Sequence, residues 1–303
     1  MHIESRQKPN TPVANPIFAA ETPRLTVSAS TPDEEAEVLS FLSERVAHTF
    51  GLTGFIRSNG IASPHNRGTF YCCRNAAGEL DGVALIGHAT LFETRSDAAT
   101  AEFARIAQQC GDLNMLFGER EDVETFWNFY SDNGQQQRLN CRELLFEQRG
   151  RIQTLEPIND LRLATTEDLD LIVPVHARTV FEESGINPLD FDPQGFRARC
   201  ARRIEQNKTW VWIQKDKLIF KAEIVTDSRD VVYLEGVDVN PDERGKGYGL
   251  RCLTQLTKTL LERTNSVVLL VNEQKRAAQY FYQKAGFELI GRYDTIFLKQ
   301  DVQ

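Results

Sequence analysis

No stretch of this 303-residue chain approaches the roughly 20 consecutive apolar residues that a membrane-spanning helix needs, so no membrane partner is expected. Metal chemistry has little to draw on. The five histidines are scattered, and the six cysteines (Cys72, Cys73, Cys110, Cys141, Cys200, Cys252) show neither C-x-x-C nor Cys/His ligand spacing. A chain of this length needs no disulfide scaffold, which predicts reduced thiols and a cytoplasmic location. The vicinal Cys72–Cys73 pair falls on a predicted strand, its side chains on opposite faces, and reads as structural. Positive charge is short as well: 35 Lys and Arg against 43 Asp and Glu leave a net charge of −8. Nucleic-acid binding requires clustered basic residues and is not expected, whereas a cationic acceptor agrees with this balance. The start of the chain carries Pro9, Pro12, Pro16 and Pro23 and no apolar segment flanked by basic residues. It does not read as a secretory signal, and residues 1–30 are expected to be a disordered lead-in. The phosphate-loop pattern G-x-x-x-x-G-K-[ST] is absent.

What the sequence does contain is a glycine-rich basic loop late in the chain, within Leu234-Glu-Gly-Val-Asp-Val-Asn-Pro-Asp-Glu-Arg-Gly-Lys-Gly-Tyr-Gly249. It reads as strand, tight loop, then a helix over about 250–262. Strict alternation would place Tyr233, Glu235, Val237 and Val239 on one face and Leu234, Gly236 and Asp238 on the other. Asn240-Pro241-Asp242 ends the strand. Gly245, Gly247 and Gly249 allow a sharp turn and leave backbone N–H groups uncovered at a helix N-terminus, where an anionic phosphate is favoured. Arg244 and Lys246 add charge there. The glycines do not follow the dinucleotide pattern G-x-G-x-x-G, but Arg244, Gly247 and Gly249 fit R-x-x-G-x-G. With this loop the sequence resembles the GNAT superfamily of acyl-CoA-dependent N-acyltransferases. Downstream, Tyr282-Gln-Lys-Ala-Gly-Phe287 is similar to the Y-x-x-x-G-F block of that family. One departure is visible: Lys275 stands where the family commonly has Asn, and Asn272 lies nearby.

Two halves are legible, 31–149 and 160–303, joined by a linker around residues 149–159. In the second half the order is strand (161–164), two helices (to 183, and 193–207), and strands at 209–214, 218–225 and 231–239. The cradle helix, a strand at 266–271, a helix at 276–285 and closing strands at 287–291 and 295–298 follow. That is the GNAT order, and the resemblance covers about 161–298. The first half echoes it: an amphipathic helix over 32–48, strands at 69–74 and 80–92, a helix at 98–109, a strand at 113–117, a helix at 123–130 and a strand at 142–147. No basic glycine loop lies between its strand and helix, where Phe92-Glu-Thr-Arg-Ser-Asp97 stands instead. The expected architecture is a mixed α/β sheet in tandem, a GNAT domain behind a degenerate GNAT-like domain without a coenzyme site. The segments Phe181-Glu-Glu-Ser-Gly-Ile-Asn-Pro188, Ile219-Phe-Lys-Ala-Glu223 and Glu235–Pro241 carry a closer likeness to two-domain GNAT proteins.

The resemblance implies acetyl-CoA as cosubstrate, held by Val237, Asp238, Val239, Arg244, Gly245, Lys246, Gly247, Tyr248, Gly249, Asn272 and Ala278. It also implies transfer of the acetyl group to a primary amine, a small molecule or a protein. Backbone groups of Val237 and Val239 would polarise the thioester carbonyl, and Tyr282 would protonate the departing thiolate. The amine must lose a proton, for which Glu235 is the first candidate, with Glu223 or a water chain as alternatives. Glu182 and Glu183 could border the acceptor pocket. A non-catalytic acyl-CoA-binding regulatory module is the other reading, and a longer acyl chain stays open.

Overall fold

One sheet of twelve strands runs through both halves of the chain. The computed structural model describes residues 25–150, 152, 153 and 155–299. In the first half β1 (Thr26–Ala29), β2 (Gly68–Arg74), β3 (Leu80–Gly87) and β4 (Ala89–Thr94) are antiparallel neighbours, and β5 (Met115–Glu119) lies parallel to β4. The expected lead-in overlaps this edge at Thr26–Ala29, which is paired strand; the residues before 25 lie outside the described part.

The second half repeats the pattern. Its strands are β7 (Arg162–Leu163), β8 (Thr209–Gln214), β9 (Lys217–Asp227) and β10 (Val232–Val239), antiparallel in turn, with β11 (Val267–Asn272) parallel to β10. Two long strands cross between the halves. β6 (Gln137–Gln148), the last strand of the first half, pairs with β11, and β12 (Glu288–Leu298), the last strand of the second, pairs with β5. They also pair with each other, Tyr293 opposite Glu143. Each half thus completes its sheet with the other's terminal strand. A buried ion pair holds the crossing: Arg120 donates to Asp294 at 2.9 Å and to Glu273 at 2.8 Å, and Asn140 donates to Asp294 at 3.1 Å.

Helices cover both faces. α1 (Glu35–Ser43) and α2 (Phe50–Asn59) pack on one face of the first half, α3 (Asp97–Ala107) and α4 (Arg120–Tyr130) on the other. In the second half α5 (Leu169–Ser184), the short α6 (Pro188–Phe191) and α7 (Pro193–Glu205) take one face, and α8 (Tyr248–Leu261) and α9 (Arg276–Lys284) the other. The alternation of β9 decides this: Phe220, Ala222 and Ile224 join the α8 side, while Lys221 and Glu223 meet α5 and α7. The α8 stripe Cys252, Leu253, Leu256 and Leu260, at helical spacing, is wholly buried.

Several boundaries differ from expectation. The helix expected over 32–48 ends at Ser43, and α2 follows after a turn. α2 carries two glycines and has weak intrinsic propensity, yet a Cβ at Gly51 would lie 2.6 Å from Leu91 and one at Gly54 2.4 Å from Thr226. Close docking on the sheet, which only glycine permits, wins over propensity. The strand expected over 80–92 breaks between Gly87 and Ala89, and the two closing strands are one strand with an irregularity between Leu289 and Gly291. α5 continues through Pro174.

Candidate active site

β10 begins as ordinary strand and then departs from its alternation. Glu235 is opposite Glu223, but Asp238 is opposite Lys221, so two residues of β10 face one of β9. Gly236 absorbs the extra residue at φ +57°, a left-handed conformation that suits glycine. The expected face assignment is corrected here. Tyr233 packs on the α2 side against Phe50, whereas Val237 and Val239 pack with Leu234 on the α8 side. Glu235 and Asp238 both end up toward α5, where Arg178 donates to both Asp238 oxygens at 2.9 Å.

A second departure follows from the first. β10 and β11 pair only over Val232–Leu234 and Val267–Leu269, although both strands run on, β11 continuing with β6 as far as Asn272. Beyond Leu234 the β10 edge therefore faces an opening instead of a neighbouring strand.

At the far end of β10 the chain enters α8 through Gly245 (φ +78°) and Gly247 (φ +81°). A Cβ at either position would meet nothing within 4 Å, so the loop surface is open. Arg251 N–H donates to Gly247 at 3.2 Å, and the N–H groups before it point out of the helix end. Gly249 has a different reason: a Cβ there would sit 2.6 Å from Val239 and 3.4 Å from Phe281, so only glycine lets α8 start this close to β10 and α9. Tyr248 packs edge-on against Trp212. Arg244 is exposed, with Nε donating to the Val239 carbonyl at 3.0 Å, and Lys246 pairs with Glu243 at 2.8 Å. These residues suit a pyrophosphate: open backbone donors, a helix N-terminus and two mobile-length cationic side chains.

Tyr282 lies beneath the opening. Its ring is 7% exposed and packs against Phe146, Phe281 and Phe287, yet its hydroxyl has no hydrogen-bond partner among the described residues. Burial, then the charges of Glu183 and Asp238, push its pKa well above the ordinary phenol value, so it stays protonated and able to donate. Tyr233 is raised in the same way by burial and by Glu235, Glu143 and Glu183. Glu143 itself is pushed up to about 7 by burial, against a hydrogen bond from Thr295 at 2.8 Å. Glu183, exposed at the end of α5, moves in the same direction through partial desolvation and the neighbouring Glu235 and Glu143.

Glu223, the second candidate base, is committed elsewhere. Lys221, with no exposed surface, pairs with it at 2.9 Å, Arg203 pairs with its other oxygen, and His176 lies 3.6 Å away. Burial would raise its pKa, but Lys221, His176 and Arg203 bring it down to about 2. Such a carboxylate is a poor proton acceptor at neutral pH. Lys221 also reaches the Gly236 carbonyl at 3.5 Å, tying this buried cluster to the bulge.

Of the residues expected from sequence, Glu235, Val237, Asp238, Val239, Tyr282 and the 244–249 loop border one opening. Asn272 and Ala278 are at its side with their local groups used. The Asn272 carboxamide accepts Gln274 N–H at 2.9 Å, and Ala278 N–H donates to Lys275 at 3.0 Å. Glu182 turns outward to Lys275 at 3.0 Å, whereas Glu183 joins the carboxylates. Sequence reasoning missed Glu143 and Tyr233. The signal for Glu143 was its alternation with the buried Leu145, which puts a carboxylate on an inward-facing position.

Residues 178–287 match the acetyltransferase (GNAT) family model. A 72-residue segment, 24% of this chain, is 31% identical to a UPF0039 protein of Schizosaccharomyces pombe and spans only 48% of that relative. Among solved structures, a Drosophila protein superposes with a TM-score of 0.66 at 11% identity, covering 91% of this chain and 99% of that one. A tandem GNAT protein from the clavulanic acid biosynthesis pathway gives 0.55 at 13% identity, with 92% and 100% covered. Residues 178–287 are thus similar to the GNAT family, and the chain shares its fold with a tandem GNAT protein. Among the described residues no helix is long and apolar enough to cross a membrane, and no group of three His, Cys, Asp or Glu could hold a metal ion.

Proposed function

We propose that this protein transfers an acetyl group from acetyl-CoA to a primary amine by direct attack. The observation that carries the reading is the opening between β10 and β11, with the glycine-rich helix start at one end and the unpartnered Tyr282 hydroxyl beneath it. Val237 and Val239 supply the unpaired strand edge, and the N–H groups around Gly245–Gly249 receive phosphate, with Arg244 and Lys246 swinging from their present partners. Acetyl-CoA, when bound, supplies an activated acyl thioester. Glu235 takes the proton from the ammonium, freeing the nitrogen to form the new C–N bond. As the C–S bond breaks, the Tyr282 hydroxyl gives its proton to the sulfur. A phenol is protonated at neutral pH and so carries the proton into that step.

In the first half β4 and β5 likewise pair only over Ala89–Leu91 and Met115–Phe117, but the divergence beyond is filled. Between β4 and β5 the space lined by Glu93, Glu119 and Tyr293 amounts to about 10 Å³, and Arg45 spans Glu93 and Glu119 across it.

Calorimetric titration with acetyl-CoA tests the site. Arg244→Ala is expected to weaken binding by about tenfold, roughly 1.4 kcal/mol. Gly247→Asp, which strains a left-handed position and places an anion in the loop, is expected to abolish it. Wild-type protein is then expected to release free thiol when primary amines are added. Coenzyme binding without thiol release from any amine would favour a binding module; absence of coenzyme binding would overturn both.

A further inference from the structure

Building on the acetyl-transfer reading, we propose that Glu143, carried into the second half on the exchanged strand β6, positions the acceptor as an alkylammonium ion beside Glu183 and Glu235. The register of β6 places Glu143 opposite Asn272 of β11 and Tyr293 of β12, level with the mouth of the opening that β10 leaves. The same strand holds the end of α5: Cys141 Sγ lies 3.2 Å from the Glu183 carbonyl, and Arg138 donates to the Ser184 carbonyl at 3.0 Å. Both carboxylates are thus placed by a strand that belongs in sequence to the first half.

A ligand is indicated by a separate feature. Tyr282 is 7% exposed, its hydroxyl makes no hydrogen bond to a described residue, and it lies within the field of Glu183. Thr295 orients one oxygen of Glu143 at 2.8 Å and leaves the other to accept. The groups acting on Glu143 are Glu235 from β10, Asp294 from β12 and Lys275 from the turn before α9. Glu143 is half-buried, and this desolvation pushes its pKa up to about 7.

The cations around the cluster define the acceptor class. Arg178 is paired with Asp238, Arg203 and Lys221 with Glu223, Lys275 with Glu182, and Arg120 with Asp294 and Glu273. Glu143, Glu183 and Glu235 have no side-chain partner of this kind within ion-pair distance among the described residues. They can receive an ammonium by charge-assisted hydrogen bonds, while Arg138, the guanidinium near them without a carboxylate partner, is held on the Ser184 carbonyl and over the Phe297 ring. An alkylamine or a diamine fits; an α-amino acid, whose carboxylate would enter the same acidic surroundings, does not.

Thiol release with acetyl-CoA and three probes (n-butylamine, 1,4-diaminobutane and glycine) tests this in wild type, Glu143→Gln and Glu143→Asp. Wild type is expected to prefer the two alkylamines to glycine. Glu143→Gln should raise the alkylamine KM by about tenfold while leaving the KM for acetyl-CoA unchanged, and Glu143→Asp should restore part of the loss. A purely structural role would move both KM values together. Should Glu143→Gln fail to fold, Thr295→Val, which removes only the orienting hydrogen bond, should give the same split to a smaller extent. Turnover with an unaltered alkylamine KM and unaltered preference in Glu143→Gln would overturn the assignment of Glu143 alone. A wild type that binds acetyl-CoA but acetylates none of the three overturns the transfer reading and this inference with it.

Discussion

Replacing Lys221 with methionine is expected to destabilise the protein by about 3 kcal/mol, the scale for breaking a buried ion pair. Lys221 has no exposed surface and Glu223 only 1%, so the variant leaves a carboxylate in the interior with Arg203 as its remaining strong partner. The loss should depend on pH. His176 is brought down to about 4 by burial and by the charge of Lys221. The folded protein therefore binds fewer protons than the unfolded chain between about 6.5 and 4, and stability falls as pH drops through that window. Glu223, held at about 2, extends the same trend between 4.5 and 2. Without Lys221 both groups return toward ordinary values, and the stability gap between wild type and variant should narrow on acidification. Urea unfolding at pH 7.5 and pH 5 measures it, and adding Glu223→Gln to Lys221→Met should recover part of the loss. A gap that is small at pH 7.5, or equal at both values, would mean that the ammonium does not sustain this cluster. Because Lys221 also contacts the Gly236 carbonyl, a surviving variant is expected to lose activity as its bulge loosens.

Tyr282→Phe should behave in the opposite manner. The hydroxyl makes no hydrogen bond to any described residue, while the ring packs against Phe146, Phe281 and Phe287. Phenylalanine keeps that packing and removes a hydroxyl that makes no hydrogen bond to a described residue, so the melting temperature should hold. If Tyr282 delivers the proton to the departing sulfur, kcat should fall by about 10²-fold with acetyl-CoA affinity unchanged. Stopped-assay turnover beside calorimetry separates the cases. A stable variant with wild-type kcat would remove Tyr282 from the chemistry; a destabilised one would make the hydroxyl a structural group.

Local chemistry wrote much of this protein in its sequence. Gly245, Gly247 and Gly249 between a strand and an apolar stripe define the loop at the start of α8, because left-handed backbone and close helix approach both require glycine. The β-branched run of β11 and the Tyr282–Phe287 block are legible for the same reason: each depends on residues adjacent in the chain. The bulge at Gly236 was not legible, since Glu235 through Val239 reads as unbroken alternation and only pairing with β9 shows the extra residue. Nor was α2, whose glycines count against a helix until the sheet they touch is known. The exchange of β6 and β12 lies furthest from local signals. Both segments have the alternation of a strand in either half, and pairing partners are chosen by which edges the completed sheets leave open. That choice brings Glu143 beside Glu183 and Glu235, which no spacing along the chain encodes.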